Sequence, residues 1–356
     1  MYDPLYRILD GRDVEIVVHA DHPTLNRAVA EMLSGGERID LLSTHSKYAP
    51  SQDRWLQPLD DIVAPAVVGA LAPAAVELCR FEGRLLSVPR NIDVRVLWVR
   101  TDLVRELPET WADVLAAGQA FGFPGRESGL FGTFFELVVA HGGRLFDDEL
   151  RPTLHTQDGI SAVETLVALA SAAPADLVTW HYDQVDDALQ SGRVAIAATW
   201  PGGYGALRAS PFYDRLAVTA YPAGPTRRAS YAGVHSWAIP STCADVPGAS
   251  ALLSELASER AGRLDASGGS VCAHVGAFAS IEPADETDRR RLEVTVDTIA
   301  SAMITYPPLR RFPEIEDAGW QAINAALRGV LTPEGAVEGV QAAAEAVLES
   351  GGRGDG

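Results

Sequence analysis

The sequence has few of the features that mark membrane, disulfide-rich and zinc-binding proteins. No window approaches the roughly 20 consecutive apolar residues that a membrane-spanning helix needs. The three cysteines are Cys79, Cys243 and Cys272. An odd count without a C-x-x-C spacing argues against a disulfide framework or a zinc site. One pair among the three is still open, so the cysteines do not fix the redox compartment.

Positive charge is scarce as well. The 29 lysine and arginine residues face 48 aspartate and glutamate residues, and the formal net charge is -19. Lys47 is the only lysine, and no run of basic residues is longer than three. The phosphate backbone of a nucleic acid would be repelled rather than neutralised. We therefore expect no nucleic-acid partner.

Common catalytic and cofactor-binding motifs are missing. The sequence has no G-x-S-x-G, H-E-x-x-H, G-x-x-x-x-G-K-[ST] or G-x-G-x-x-G motif and no EF-hand loop. The histidines are scattered, with no i, i+4 pair on a helix. We expect no metal, no cofactor and no motif-based active site, although carboxylates that meet only in the folded chain are not visible in a sequence.

The composition is that of a folded globular protein, with 47% hydrophobic and 22% charged residues. A chain of 356 residues is too long for one ordinary core and favours two domains. The start, MYDPLYRILDGRDVEIVVHADHP, has neither the basic nor the apolar region of a signal peptide. From this start we expect a protein that stays inside the cell, or one whose first residues have been lost.

Strands alternate with helices from the beginning of the chain. DVEIVVH, residues 13–19, predicts a strand, TLNRAVAEMLSGG a helix that ends at its two glycines, and IDLLSTH, residues 39–45, a second strand. This βαβ order predicts parallel strands covered by helices. Ligands bind beyond the carboxyl ends of such strands. Thr44 and His45, at the polar end of the second strand, are therefore the first candidate site residues.

A polar cluster interrupts a second apolar stretch, GRLLSVPRNIDVRVLWVR. Pro89 gives up a ladder hydrogen bond, and Arg90, Asn91 and Asp93 are costly to bury unless their polar groups find partners. Two interpretations are open: a surface turn whose charges are solvated, or a site where these groups meet a ligand.

Aromatic residues add further candidates. Trp200 ends the predicted strand GRVAIAATW, and the PGGYG that follows lets the backbone approach a ligand closely. Its indole could stack on a sugar ring or pack in the core. Tyr204 is a weaker candidate beside it. The segment YAGVHSWAIP contributes His235 and Trp237, either of which could also be structural, and we leave Trp180 and Trp320 open.

The order of these segments resembles the extracellular solute-binding proteins of ABC importers, the group that includes the maltose-binding protein. The resemblance runs from about residue 13 to residue 348. The matching pieces follow in order: RIDLLSTH, WLQPLDD, GRLLSVPRNID, TDLV, LPETWADVL, AHGGRLFDDE, SGRVAIAATWPGGY, YPAGP, YAGVHSWAIP and LRGVLTPEGAVEGV. Each piece alone is weak, and the series is specific. Family members normally open with a signal peptide, a strand and a complete first helix, whereas this sequence begins within that helix.

The resemblance implies an α/β, two-lobed periplasmic-binding-protein-like fold of type II, with the ligand in a cleft between lobes joined by several crossing strands. Lobe one would comprise residues 1–92 and 237–282, and lobe two residues 93–236 and 283–356. The polar cluster at Arg90, Asn91 and Asp93 then lies at the first crossing, which favours the ligand site over the solvated turn.

The same resemblance implies a monomer that binds a mono- or oligosaccharide, closes by hinge motion and delivers the sugar to the membrane permease of an ABC transporter. Asp93 and Asn91 would hold sugar hydroxyls and Trp200 would stack on the ring, while Arg90 leaves room for an acidic sugar. It also implies an extracytoplasmic location, whereas the start of the chain leaves the cytoplasm open. The alternative function is an enzyme or a cytosolic ligand sensor on the same scaffold.

Overall fold

A computed structural model describes residues 3–20 and 22–351, and the chain divides into two compact units. Unit 1 comprises Met1–Asp93, Gly233–Glu282 and Pro308–Phe312, and unit 2 comprises Val94–Ala232, Pro283–Pro307 and Pro313–Gly356. Helices alternate with short strands in both units, so the predicted α/β class is confirmed.

Unit 1 is built from short helices around a small sheet. Its helices are α1 (Asp3–Leu9), α2 (His22–Ser34), α3 (Ala49–Gln52), α4 (Pro65–Gly69), α5 (Pro73–Glu77), α11 (Val246–Leu256), α12 (Glu259–Ser267) and α13 (Val275–Ala279). Its strands are β1 (Leu42–His45), β2 (Arg80–Phe81), β3 (Arg84–Leu85), β4 (Val88–Pro89) and β10 (His235–Ala238). Apolar residues of α2 and β1, including Val29, Leu33 and Leu42, pack in one core cluster with Phe81 and Leu86.

The main sheet of unit 1 has the order β1-β10-β4, and both pairings are antiparallel. The register sets His45 opposite His235. The predicted helix after residue 22 and the strand that ends at His45 are confirmed. The prediction that this region forms a parallel βαβ unit is wrong, because a distant segment of the chain pairs with β1 in the antiparallel sense.

The predicted first strand is also wrong. Residues 13–19 adopt no strand, and Val14, Ile16 and Val17 are 40%, 49% and 59% exposed. An alternating apolar pattern forms a strand only when a neighbouring strand supplies hydrogen-bonding partners. No segment in residues 3–20 and 22–351 pairs with this one.

Unit 2 contains the longer helices and the larger sheet. Its helices are α6 (Trp111–Ala116), α7 (Glu127–His141), α8 (Gln157–Ser171), α9 (Tyr182–Gln190), α10 (Tyr204–Arg208), α14 (Glu286–Ser301), α15 (Phe312–Leu327, whose first residue belongs to unit 1) and α16 (Pro333–Gly351). Its strands are β5 (Val96–Arg100), β6 (Phe121–Gly122), β7 (Ile196–Thr199), β8 (Leu216–Thr219), β9 (Ser230–Tyr231) and β11 (Met303–Ile304).

The four-stranded sheet of unit 2 has the order β6-β7-β5-β8. Strand β5 is buried along its whole length and pairs antiparallel with β7 and β8, while β6 pairs parallel with β7. Strand β7 ends at Thr199, so the next residue, Trp200, lies just beyond the end of this strand. The strand predicted from GRVAIAATW is confirmed.

Local capping signals fix several helix ends in unit 2. Thr110 accepts a hydrogen bond from the backbone N–H of Asp113, and the Asp113 carboxylate accepts one from the N–H of Thr110, which forms a capping box. The break between the last two helices lies at Gly329, whose φ is 71°. Thr332 caps α16, and Pro333 takes its first position.

A close backbone contact at Gly125 gives a first testable prediction. A Cβ atom at this position would overlap the carbonyl oxygen of Leu177 and lie 2.7 Å from its carbonyl carbon. Because both atoms belong to the backbone, Gly125→Ala should lower the free energy of unfolding by about 1–3 kcal/mol through overpacking. Denaturant melts measure this loss.

Gly205→Ala is the matched control, because Gly205 lies in α10 with no atom near its would-be Cβ. This exposed helical exchange should leave stability unchanged or raise it by up to about 1 kcal/mol. Equal effects at the two positions would contradict the steric argument.

Candidate functional site

The segment that interrupted the apolar pattern lies at the end of strand β4 in unit 1. The N–H of Arg90 donates to the carbonyl of His235 at 2.8 Å, and the N–H of Asp93 donates to the carbonyl of Gly233 at 2.9 Å. The ladder therefore continues past Pro89 through single bridges instead of ending in a solvated turn. The segment is buried, and its polar side chains need partners within the protein or in a ligand.

Asn91 organises the side chains of this cluster. Its amide nitrogen donates to Asp93 Oδ2 and to Ser270 Oγ, each at 3.1 Å, and its amide oxygen accepts from the N–H of His235 at 3.1 Å. His235 Nε2 lies 3.2 Å from the same Asp93 Oδ2. The other oxygen, Asp93 Oδ1, is buried and has no hydrogen-bond partner among the described residues.

Arg90 is neutralised by a partner far away in the sequence. Its guanidinium forms a two-pronged ion pair with Asp265 of α12, through Nε to Oδ2 at 3.1 Å and Nη2 to Oδ1, and both side chains are 2% exposed. Asp265 carries no signal in the sequence, because it lies 175 positions from Arg90. The pair argues against Arg90 as a free donor for an acidic ligand.

Burial shifts the ionisation of both Asp93 and His235. Burial raises the pKa of Asp93 to about 7, against the opposing influence of the Arg90 charge and the Asn91 hydrogen bond. Burial and the positive charges of Arg90 and Lys47 lower the pKa of His235 to about 3. His235 is therefore uncharged at neutral pH, and Asp93 exchanges a proton there.

Of the two residues predicted at the end of β1, His45 lies beside this cluster. Its ring meets His235 edge to face, with 5.3 Å between centroids, and its Nδ1 accepts from the N–H of Lys47 at 3.2 Å. Thr44 instead donates to Gln52 Oε1 at 2.8 Å, and Gln52 donates to Asn26 of α2. Thr44 thus ties β1 to its neighbouring helices.

Trp237 takes a packing position. Its half-buried indole lies against the apolar cluster formed by Leu5, Ile8 and Leu256 of α1 and α11. The structure brings Arg90, Asn91, Asp93, His45 and His235 into one cluster, and it places Thr44 and Trp237 in other contacts. Their predicted ligand roles stay predictions.

In unit 2, the half-buried Trp200 stands at the end of β7 with aromatic neighbours. Tyr182 and Tyr231 meet its ring edge to face, at centroid distances of 6.2 and 5.7 Å. The guanidinium of Arg95 lies 5.4 Å from the indole centroid. These contacts fix the orientation of the Trp200 indole at the end of β7.

Arg95 itself belongs to a buried ion pair that sequence reasoning missed. Arg95 donates to the carboxylate of Glu136 on α7 through Nε, at 3.1 Å, and through Nη2. Its Nη1 donates to the hydroxyl of Thr133 at 2.9 Å. The Glu136 carboxylate further accepts from the Tyr221 hydroxyl at 2.6 Å and the N–H of Tyr231 at 2.8 Å. Both ion-pair partners are buried, and their hydrogen-bonding groups are well matched.

Tyr204, the weaker aromatic candidate, is packed inside unit 2. Its ring stacks on Trp98 at 6.5 Å and faces the guanidinium of Arg291 at 4.2 Å. Its hydroxyl lies 3.4 Å from that of Tyr213. These contacts argue for a structural role, and its ligand role stays a prediction.

The two tryptophans left open differ from each other. Trp180 is fully buried, with the Arg193 guanidinium 5.1 Å from its ring centroid, and therefore packs in the core of unit 2. Trp320 on α15 is half-buried and donates through its indole N–H to Asp317 at 3.0 Å.

The start of α7 holds polar residues that sequence reasoning did not single out. Glu127 has a φ of 54°, a region that non-glycine residues rarely adopt and that concentrates at functional sites. Its carboxylate pairs with Arg126 and lies 3.5 Å from His181 Nε2. Ser128 hydrogen-bonds the hydroxyl of Tyr182 at 3.0 Å. The polar triplet RES before the apolar run of α7 is the signal that could have identified this position.

Asp186 is a second missed residue, and its carboxyl group lies against Gly203. It follows Tyr182 by one turn on α9, so both side chains lie on one face of that helix. A Cβ on Gly203 would collide with its carboxyl group, so the glycine permits the close approach. Burial and the charges of Asp183 and Asp187 raise the pKa of Asp186 to about 8.

No group of three metal-ligating side chains occurs within the described ranges, 3–20 and 22–351. Among the helices in the same ranges, none has both the length and the apolarity of a membrane span.

Comparison with known proteins relates the chain to one family. The model of the family described as "Bacterial extracellular solute-binding protein" matches residues 20–263. A probable ABC transporter-binding protein of Deinococcus radiodurans is 28% identical over 194 residues, which cover 48% of this chain and 46% of that protein. A probable amino-acid ABC transporter periplasmic-binding protein of Sinorhizobium fredii is 22% identical over 254 residues, which cover 68% of this chain and 57% of that protein. The chain thus spans about half the length of these curated relatives.

A solved structure shows the same fold. The maltose-bound MalE3 protein of T. maritima superposes with a TM-score of 0.88 at 20% identity, and the match covers 97% of this chain and 94% of that one. The predicted two-lobed periplasmic-binding-protein-like fold is confirmed.

Proposed function

The chain belongs to the family of bacterial extracellular solute-binding proteins, and we propose that it is the substrate-binding component of an ABC importer for a carbohydrate. The observation that carries the carbohydrate proposal is Asp93 Oδ1, a buried carboxylate oxygen without a hydrogen-bond partner among the described residues. Family membership makes the chain a binding protein rather than an enzyme, so the alternative of an enzyme is not favoured.

The chemistry of both clusters suits a sugar. A carboxylate oxygen accepts hydrogen bonds from hydroxyl groups, and an unmet buried acceptor gains most from such a donor. The half-buried ring of Trp200, held by Tyr182 and Tyr231, offers an apolar face of the kind that stacks on the C–H face of a pyranose. The maltose-bound structural relative supports the same ligand class.

A neutral sugar fits better than an acidic ligand or an amino acid. The name of one curated relative refers to amino acids, and an amino acid needs a cation for its α-carboxylate. The guanidinium within the cluster, that of Arg90, is already paired with Asp265 through two hydrogen bonds. We therefore propose a neutral mono- or oligosaccharide or a polyol.

The partner and the location follow from the proposed role. The membrane permease of an ABC importer would receive the sugar, and the protein would act outside the cytoplasm, as the family description suggests. We propose that it acts as a monomer. Retention of the protein in the cytoplasm of its own cells would count against this role and for the ligand-sensor alternative.

A thermal-shift panel tests the ligand class. We expect maltose, mannitol or a related neutral sugar to raise the free energy of unfolding by about 2.7 kcal/mol at a hundredfold excess over Kd. Glucuronate, glutamate, leucine and a dipeptide are the comparison ligands, and they should have little effect. Stabilisation by amino acids or peptides alone would overturn the carbohydrate proposal.

A further inference from the structure

The Asp93 carboxylate is held asymmetrically. Asn91 and His235 both contact Oδ2, at 3.1 and 3.2 Å, while Oδ1 is buried and has no partner among the described residues. Asn91 is in turn fixed by Ser270 and by the backbone of His235. Two side chains therefore orient the carboxylate through one oxygen and leave the other free to accept from a ligand.

The Asp93–His235 pair has charged and titratable neighbours. Arg90 and Asp265 neutralise each other beside it, and His45 meets His235 edge to face from β1. Lys47 acts on His235 through its charge. A buried net charge is costly, so the Asp93–His235 pair is most stable when it holds one proton in total and is neutral.

We propose that His235 is a positioning residue that fixes Asp93 for the ligand, and that the pair shares one proton which leaves when Asp93 accepts a hydrogen bond from a sugar hydroxyl. A neutral imidazole can serve both states of the carboxyl group, because Nε2 accepts from the protonated form and, in the other tautomer, donates to the ionised form. The inference rests on the proposed function, since the proton leaves only if a ligand binds at Asp93.

The pH dependence of ligand affinity follows. Burial raises the pKa of Asp93 to about 7. Below that pH the carboxyl group is protonated, and the protein must release this proton before Oδ1 can accept as part of a charged carboxylate, the form that binds hydroxyl groups most strongly. Affinity should therefore fall about tenfold for each pH unit below about 7 and level off above it.

The stability of the ligand-free protein supplies a second, independent readout. Asp93 takes up a proton on folding between its ordinary pKa near 3.8 and about 7, so its contribution to stability falls as the pH rises across that window. His235 gives up a proton on folding between about 3 and its ordinary value of 6.5, so its contribution rises with pH. Between about pH 4 and 6.5 the two effects cancel.

The experiment compares wild type with His235→Leu and His235→Gln. In denaturant melts without ligand, both variants lose the histidine titration. Relative to wild type, the unfolding equilibrium constant of each should therefore increase about tenfold per pH unit between about pH 4 and 6.5. Asp93→Asn should show the opposite relative slope. If His235 titrated in the folded protein as it does in the unfolded one, its loss would lower stability equally at every pH. Parallel pH profiles would therefore overturn the inference.

Calorimetric titration between pH 5 and 9 tests the coupling to the ligand, with maltose or whichever neutral sugar or polyol of the thermal-shift panel stabilises the protein most. The pH midpoint of affinity should lie near 7 in wild type and about one to two units higher in His235→Leu, because the ionised carboxylate loses a donor. His235→Gln, which retains a donor, should restore the midpoint.

An affinity that does not change with pH would overturn the coupling. Absence of binding to every sugar would overturn the carbohydrate proposal and with it the ligand-linked proton release, while the melts would still decide the proton sharing of the pair.

Discussion

Replacement of Glu136 by glutamine is expected to lower the free energy of unfolding of unit 2 by about 3–5 kcal/mol. Glu136 is fully buried and neutralises Arg95 while it accepts from Tyr221 and from the N–H of Tyr231. The uncharged amide of glutamine cannot neutralise the Arg95 guanidinium. Its NH2 group is a donor and would face the Tyr231 N–H or the Tyr221 hydroxyl, which are donors as well. An uncompensated charge would remain in the core.

Denaturant melts measure this loss, and Asp148→Asn is the matched control. Asp148 pairs with Arg144 over 2.9 Å, yet its side chain is 90% exposed, so solvent screens the pair and its loss should have no measurable effect on stability. A Glu136→Gln protein as stable as the control would show that the core tolerates the unpaired Arg95 charge, and it would contradict this prediction.

The same ion pair shows where sequence reasoning succeeded and where it could not. Helix ends set by local chemistry were predictable, as at Thr110 with Asp113 and at Thr332 with Pro333, because both partners lie within one turn. Arg95 lies between apolar residues of VRVLWV, and nothing nearby marks Glu136 as its partner. Contacts between side chains distant in the chain depend on how the elements pack, and one sequence does not reveal that packing.

The candidate site follows the same division. The polar interruption after Pro89 identified Arg90, Asn91 and Asp93 because such residues contradict a strand pattern, and the structure brings them together. The partners that decide their roles come from remote segments. Asp265 removes Arg90 from the set of free donors, and His235 contacts Asp93 from strand β10.

The prediction of a first strand at residues 13–19 is wrong for a related reason. DVEIVVH has the composition of a strand, but a strand exists only as a pair, and the pattern does not say whether a partner is present. The strand that ends at His45 was predicted from a similar pattern, and it forms because β10 pairs with it along four residues. Its antiparallel sense could not be read from the order of local elements, since β10 comes from a distant part of the chain.

Asp93→Asn and Trp200→Ala should each weaken sugar binding on the order of ten- to a hundredfold, for different reasons. An asparagine in place of Asp93 would keep the shape of the side chain but lose the charge that strengthens hydrogen bonds from hydroxyl groups. At pH 7 and above it should cost little stability without ligand, since burial disfavours the ionised form of the Asp93 carboxyl. Trp200→Ala removes the stacking face, and because the ring is only half-buried, its cost in stability should be smaller than that of a core tryptophan.

Trp98→Ala is the control that separates the site from the scaffold. Trp98 is buried in the middle of β5, and its truncation should cost roughly 3–5 kcal/mol of stability while the folded fraction binds the sugar normally. Calorimetric titration and ligand-free melts on the three variants distinguish the cases, because a binding residue changes affinity more than stability and a core residue does the reverse. If Asp93→Asn bound the sugar as wild type does, Asp93 would not contact the ligand. If Trp200→Ala behaved like Trp98→Ala, the indole would belong to the core, and the stacking surface for the sugar would have to come from another aromatic residue of unit 2.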